Sequence, residues 1–149
     1  MAGEIEHIVS LLNSTFEKNP WYGPSVKEVL SDIQPEWASK RLGHTHSIIE
    51  LVAHMTSWRL FVIKRLEGDN QFTITDELNF PAAMNWPKVV MELYKSQEQL
   101  LRLLTSFPAS RLFEVVPQGS GEYTFYTLLH GIIHHDVYHT GQISLIKKS

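Results

Sequence analysis

Apolar residues recur every three or four positions in four stretches of the sequence, which is the spacing of helices that bury one face. The stretches cover about residues 3–18, 47–66, 85–106 and 124–147. No stretch shows the alternation of a half-buried strand, and no segment of the chain repeats. The pattern predicts an all-α fold, a four-helix bundle, with one domain that covers residues 1–149.

Turn and capping residues mark the ends of these stretches. Two serine–glutamate pairs have the spacing of a capping box, namely Ser25 with Glu28 and Ser47 with Glu50. The first pair opens a short helix that is predicted to end before Pro35. Three segments have turn residues or no sustained period, and they are residues 19–24, 69–85 and 117–121. The predicted connections are therefore long for a bundle of this size.

Composition narrows the function classes. The chain has 149 residues and a formal charge of −3, so it has no broad basic surface of the kind that binds nucleic acid. It has no cysteine, which excludes disulfides, thiolate metal sites and a cysteine nucleophile. Glu4 and Glu6 lie where a signal peptide would be basic, and no run approaches the roughly 20 apolar residues of a membrane span. A cytoplasmic location without a membrane contact is predicted.

The eight histidines are the unusual part of the composition. The last helix contains two pairs of histidines spaced one turn apart, His130 with His134 and His135 with His139. At about 100° per residue, His139 falls within the apolar stripe and His135 falls at its edge. His130 and His134 project to the opposite side and are predicted to be exposed to solvent. The inward pair is therefore predicted to be His135 and His139.

Two imidazoles one turn apart on one face can reach a single ion. His54 is the best third ligand, because it flanks the apolar stripe of the second long helix and so borders a groove between helices. Imidazole nitrogens suit zinc, nickel, iron and other divalent ions, so the pattern does not identify the metal. A packed core histidine is the alternative for each residue. Glu50 could be a ligand or base, but its capping position already accounts for it.

Asp136 projects close to the centre of the apolar stripe of the last helix. A buried carboxylate needs a partner. One interpretation is that Asp136 orients a metal-binding histidine through the second nitrogen of the ring. The other is a structural salt bridge, and the sequence does not choose between them.

The segments HSIIELVAHMTSWR (residues 46–59) and HHDVYHTGQISLIKK (residues 134–148) resemble the DinB/YfiT-like family of metal-binding four-helix bundles. WYGPSVKEVL (residues 21–30) is also similar, and the HDxYHxGQI signature is the most specific part. The resemblance implies that His54, His135 and His139 bind a divalent metal. Gly141 and Gln142 match the motif, and Gly141 is expected to permit close contact between helices there. It also implies that homodimers are common.

Three histidines leave a coordination position open, as in catalytic metal sites. The resemblance implies an enzyme that activates a low-molecular-weight thiol, such as bacillithiol, and transfers it to an electrophile. Trp21, Tyr22 and Trp58 are predicted to line the cavity, and Lys40, Arg41 and Arg59 are candidates to contact carboxylates of the thiol. A metal-dependent hydrolase is the first alternative, because HDVYH (residues 135–139) is a shortened form of a zinc-protease motif. A metal-binding module without catalytic activity is the second alternative.

Overall fold

Helices make up most of the computed structural model, which describes residues 3–118 and 121–149. In chain order the α-helices are α1 (Glu4–Phe16), α2 (Val26–Leu30), α3 (Ile48–Glu67), α4 (Asp76–Asn79), α5 (Trp86–Leu104) and α6 (Phe125–Lys148). Two turns of 3-10 helix lie at Pro35–Trp37 and Ala109–Arg111. The described residues contain no β-strand, so the predicted all-α class is confirmed. None of the helices in these ranges is long and apolar enough to cross a membrane.

The long helices α1, α3, α5 and α6 form the body of the fold. Both α1 and α3 pack against α5 and against α6. The short helix α2 packs against α6. The two predicted capping boxes are present, at Ser25 and at Ser47, and each helix begins at the residue that follows. Gly68 ends α3 with a φ of 89°, a left-handed conformation that favours glycine. Residues 119–120 of the predicted loop at 117–121 lie outside the described residues.

Buried apolar side chains form two clusters, one towards each end of the bundle. One cluster contains side chains from residues 48–55 of α3 and 143–146 of α6. The other contains side chains from residues 62–66 of α3 and 125–133 of α6. Between them along the helices lies a set of buried polar residues, which we call the polar layer: Ser57, Arg59, Ser96, Gln97, Asp136 and Thr140. His54 on α3 and His139 on α6 border the polar layer, so the candidate site is near the middle of the bundle.

The connection between α3 and α5 is more ordered than the sequence predicted. Residues 69–85 contain the short helix α4, whose N-terminus is capped by Thr75 through a 3.2 Å hydrogen bond from the backbone N–H of Leu78 to Oγ1. A capping threonine followed by Asp76 and Glu77 is a helix-start signal, although only one turn follows it. α4 packs against α3 and so brings Asn79 and Phe80 to His54.

Candidate metal centre

α3 and α6 bring three histidine rings to one point. Nε2 of His135 lies 3.1 Å from Nε2 of His54 and 3.1 Å from Nε2 of His139. One ring nitrogen from each residue lies within 4.8 Å of the other two. His54 and His139 are each 7% exposed, and His135 is half-buried. The structure therefore places together the three residues that the helical pattern selected.

Hydrogen bonds fix the orientation of two of the rings. Nδ1 of His54 is 2.6 Å from the backbone oxygen of Asn79, and Nδ1 of His139 is 2.7 Å from Oε1 of Gln142. Because both oxygens only accept, each Nδ1 carries the proton and donates it. Each Nε2 is then left with its lone pair directed at the centre. This is the tautomer that binds a metal, and an acceptor behind the ring is the usual support.

The centre lacks enough protons to satisfy its three nitrogens. If His135 carries its proton on Nε2, this N–H can donate to Nε2 of His54 or to Nε2 of His139, but not fully to both. The lone pair of the other ring is then left without a hydrogen bond. Nδ1 of His135 is buried and has no hydrogen-bond partner within residues 3–118 and 121–149. Nitrogens bound to one ion at 2.0–2.1 Å are separated by about 2.9–3.4 Å for bond angles from 90° to tetrahedral. The two 3.1 Å separations lie in this range and all three ligand nitrogens lie within 4.8 Å of one another, so the three residues fit a divalent ion.

Burial keeps the triad neutral at physiological pH. Desolvation, followed by repulsion from the other two rings, lowers the pKa of His135 to about 3. Desolvation also lowers the pKa of His54 and the pKa of His139, while their hydrogen bonds to Asn79 and Gln142 oppose the shift. Neutral imidazole is the form that binds metal. The site therefore holds its ligands ready without competition from protons near pH 7.

Aromatic stacking covers the His54 side of the triad. The ring of Phe80 stacks on His54 with centroids 4.2 Å apart and an interplanar angle of 10°. On its other face Phe80 stacks on the exposed ring of His46, with centroids 3.6 Å apart. Nδ1 of His46 lies 3.7 Å from a carboxylate oxygen of Glu50. That carboxylate also accepts the backbone N–H of Ser47 at 2.6 Å, as the capping interpretation of Glu50 predicted.

Two cavities lie next to the triad. The first, which we call the apolar cavity, has a volume of about 240 Å³ and includes His135, Trp58 and Gly131 in its wall. The second, the mixed cavity, has a volume of about 390 Å³ and includes His139 and Gln142. Its wall also contains Thr45, His46, Phe80 and Tyr138. Different histidines of the triad thus contribute to two separate cavities.

Asp136 is almost fully buried, as predicted, at 1% exposed, and it pairs with Arg59. Nε of the same guanidinium donates to Oγ of Ser96 at 2.9 Å, and a terminal nitrogen donates to Oε1 of Gln97. In the described chain Asp136 forms no hydrogen bond with a histidine ring. The salt-bridge interpretation therefore describes its contacts. Arg59 is 0% exposed and is already paired with Asp136. The prediction that it contacts a carboxylate of the thiol substrate is therefore wrong.

Some predicted site residues lie elsewhere. Trp21 is fully exposed and Tyr22 is 46% exposed, so the prediction that they line the cavity is wrong. Trp58 does line the apolar cavity, and its indole N–H donates to Oδ1 of Asn79 at 2.9 Å. Gly141 is exposed, and a Cβ added there would meet nothing within 4 Å, so within a single chain it does not mediate the expected close helix contact.

The outward pair of histidines differs from the prediction at one member. His134 is exposed, but His130 is half-buried against Tyr126 and its Nδ1 lies 2.9 Å from the backbone oxygen of that residue. Lys40 contacts the backbone oxygen of Ser149, and Arg41 pairs with Glu50. These contacts account for both basic side chains without a substrate.

Two residues support the triad by contacts that the sequence did not predict, Gln142, which was named only as part of the motif, and Asn79. Gln142 has the i,i+3 spacing to His139 that allows side-chain contact on a helix, and that spacing was the available signal. Asn79 acts on His54 through its backbone oxygen, which any residue at that position would supply. No side-chain pattern could have indicated it.

One comparison with known proteins identifies a family for most of the chain. The sequence model described as the DinB superfamily matches residues 25–143, a range that contains all three histidines. No curated protein and no solved structure matches the chain significantly. Because the matched range covers most of the 149 residues, the chain belongs to the DinB superfamily.

Proposed function

We propose that the chain is a divalent-metal-dependent transferase that conjugates a low-molecular-weight thiol, of the bacillithiol type, to a small electrophile. The observation that supports this most is the convergence of the Nε2 atoms of three histidines in a chain that contains no cysteine. A chain without cysteine has no protein thiolate, so in a thiol transfer the sulfur nucleophile comes from a substrate. A divalent ion bound there supplies Lewis acidity, which lowers the pKa of a coordinated thiol or water towards neutrality.

Each residue near the triad has a specific task in this proposal. His54, His135 and His139 would hold the ion, and Asn79 and Gln142 would keep two of the rings in the binding tautomer. Three protein ligands leave a position for the thiol. The sulfur forms a bond to the electrophilic carbon, the leaving group departs with the electrons of the broken bond, and the thiol proton goes to solvent. No redox partner is required.

The hydrolase alternative has less support from the geometry. The motif HDVYH would use Asp136 as general base, but that carboxylate is 1% exposed and paired with Arg59. A base held inside the bundle in an ion pair cannot reach a substrate in either cavity. Glu50 is likewise occupied by Ser47, Arg41 and His46. A metal-bound hydroxide would therefore lack a carboxylate base in the motif that suggested it.

The first test is metal content. The untagged protein is compared with His54→Ala, His135→Ala and His139→Ala by mass spectrometry, with His134→Ala as the control because that residue is exposed beside the triad. We expect about one equivalent of metal in the wild type and the control, and large losses in the other three. No binding by the refolded, metal-supplemented wild type would refute the site.

The second test is thiol coordination and transfer. The cobalt-substituted protein is titrated with bacillithiol while the sulfur-to-cobalt charge-transfer band is recorded. The zinc and nickel forms are then assayed for conjugation of the thiol to monobromobimane, above the rate without protein. A band and a conjugate support the transferase. Metal binding without thiol coordination would instead favour the non-catalytic module, and homodimer formation is a separate prediction to be checked by light scattering.

A further inference from the structure

The apolar cavity is a second structural element of the site, because its wall includes His135 of the triad. Its other walls are mainly apolar and come mostly from α3 and α6, with Trp58, Phe61 and Val62 from α3 and Leu128 and Ile132 from α6. The mixed cavity beside His139 instead contains His46, Thr45, Tyr138 and Gln142. The two sides of the triad therefore differ in chemical character.

The wall of the apolar cavity is held in place by the residue that also supports the triad. Asn79 accepts from the indole N–H of Trp58 through its side chain and from His54 through its backbone oxygen. Trp58 in addition packs edge-on against Phe61, with centroids 5.6 Å apart. The cavity is thus preformed, which lowers the entropic cost of binding a rigid ligand.

Gly131 leaves this cavity open. It lies one turn before His135 on α6, and Thr127 and Leu128, one turn earlier, line the same cavity. A Cβ added at Gly131 would meet nothing within 4 Å. A larger side chain at this exposed position of the wall would therefore begin in open space at the cavity.

We propose that the apolar cavity binds the aromatic ring or short alkyl group of the substrate that reacts at the triad. A dry cavity of about 150 Å³ lined by apolar side chains accommodates benzene, so about 240 Å³ accommodates a phenyl group and a short linker. It is smaller than the roughly 300–1,000 Å³ of sites for drug-sized ligands. This inference rests on the proposed function, which supplies the group that reacts at the triad. The polar parts of the substrates would then lie in the mixed cavity.

The first experiment tests the cavity without metal or activity. Methyl-labelled, metal-free protein is titrated with benzyl alcohol and followed by NMR. We expect the methyl resonances of Val62, Leu128 and Ile132 to shift in the wild type and not in Gly131→Leu. Gly141→Leu is the matched control, because Gly141 lies on the same helix, is exposed and lies outside the apolar cavity. Gly131→Ala, which fills less space, should bind with intermediate affinity.

The second experiment connects the cavity to the triad. Cobalt-substituted protein is titrated with benzyl mercaptan and with 2-mercaptoethanol, and each dissociation constant is taken from the charge-transfer band. Burial of the ring should make benzyl mercaptan bind more tightly by about tenfold or more. We expect Gly131→Leu to abolish this preference while retaining the band, and Gly141→Leu to retain both.

The outcomes separate the cavity from the proposed function. Equal benzyl alcohol shifts in the wild type and in Gly131→Leu, or no shifts at all, overturn the binding role of the cavity. Ligation of both thiols without a preference overturns its connection to the triad. If neither thiol gives the band, the proposed function is wrong, and the NMR titration still decides whether the cavity takes aromatic groups.

Discussion

The backbone oxygen of Asn79 accepts a hydrogen bond from Nδ1 of His54 at 2.6 Å. This contact makes the connection between α3 and α5 part of the site, because the orientation of an α3 ligand depends on a residue at the end of α4. The side chain of Asn79 also holds Trp58. One residue outside the long helices thus positions both a triad ring and a cavity wall.

Substitution of Gln142, whose Oε1 accepts the hydrogen bond from Nδ1 of His139, should weaken metal binding although all three ligands remain. In Gln142→Leu the Nδ1 proton of His139 loses Oε1, and we expect metal affinity to fall by about 10–100-fold. Gln142→Glu keeps an acceptor oxygen and should bind at least as tightly as the wild type. Competition with a chromophoric chelator measures both variants, and equal losses in the two would contradict the role assigned to this hydrogen bond.

The buried pair of Arg59 and Asp136 should respond asymmetrically to substitution. Asp136→Ala leaves a buried guanidinium without its carboxylate and should lower the free energy of unfolding by about 3–5 kcal/mol. The double variant Arg59→Met with Asp136→Leu removes both charges and should be clearly more stable than the single variant. Urea denaturation gives the two values.

Metal affinity of the double variant separates a structural pair from a direct role at the metal. If the pair serves only the packing of α3 against α6, the double variant retains near-normal affinity once folded. A large loss of affinity in a folded double variant would restore the interpretation that Asp136 supports a histidine ligand.

Acidification should destabilise the metal-free protein from about pH 6.5 downwards. The unfolded chain takes up protons on its histidines near pH 6.5, whereas burial lowers the pKa of His135 in the folded state to about 3 and that of His54 and His139 in the same direction. The unfolded state therefore binds more protons between these limits. As the pH is lowered through this range, the free energy of unfolding decreases by at most about 1.4 kcal/mol per pH unit for each group. Above about pH 7.5 these groups contribute no slope.

His135→Gln isolates this effect, since it removes a titrating group while keeping a polar side chain. Urea denaturation of the metal-free proteins at a series of pH values should give a shallower slope for His135→Gln than for the wild type. His134→Gln, at the exposed neighbouring position, is the control. Identical slopes in the wild type and His135→Gln would show that the ring of His135 protonates normally in the folded chain.

Two glycines should respond oppositely to alanine. Gly141 lies within α6 with open space around it, so Gly141→Ala should raise the free energy of unfolding by up to about 1 kcal/mol through helix propensity. Gly68 ends α3 at a φ of 89°, and Gly68→Ala should lower it by about 1 kcal/mol. Thermal or urea denaturation measures both. A destabilised Gly141→Ala would reveal a contact at this position in an assembly of chains.

The features that were predictable from sequence depend on residues close together in the chain. The capping boxes at Ser25 and Ser47 form between residues three positions apart, and the helix starts follow from them. The inward direction of His139 follows from the fixed rotation per residue of α6. These relationships need no knowledge of the neighbouring helices.

The features that were not predictable depend on distant partners or on irregular backbone. Asp136 left two interpretations open because its partner Arg59 is 77 residues away. Trp21 and Tyr22 lie in a turn whose direction no period encodes, and both are exposed. Asn79 acts on His54 through a carbonyl group that has no sequence signature.

The polar layer determines how the helices can align lengthwise. A slide of α6 by one turn, about 5.4 Å, would carry Asp136 away from Arg59 and leave both charges beside apolar residues of the clusters. Such a slide would also separate His135 and His139 from His54. The ion pair and the histidine triad are therefore both formed in one lengthwise alignment of α3 and α6, and the two buried charges disfavour the shifted alignment.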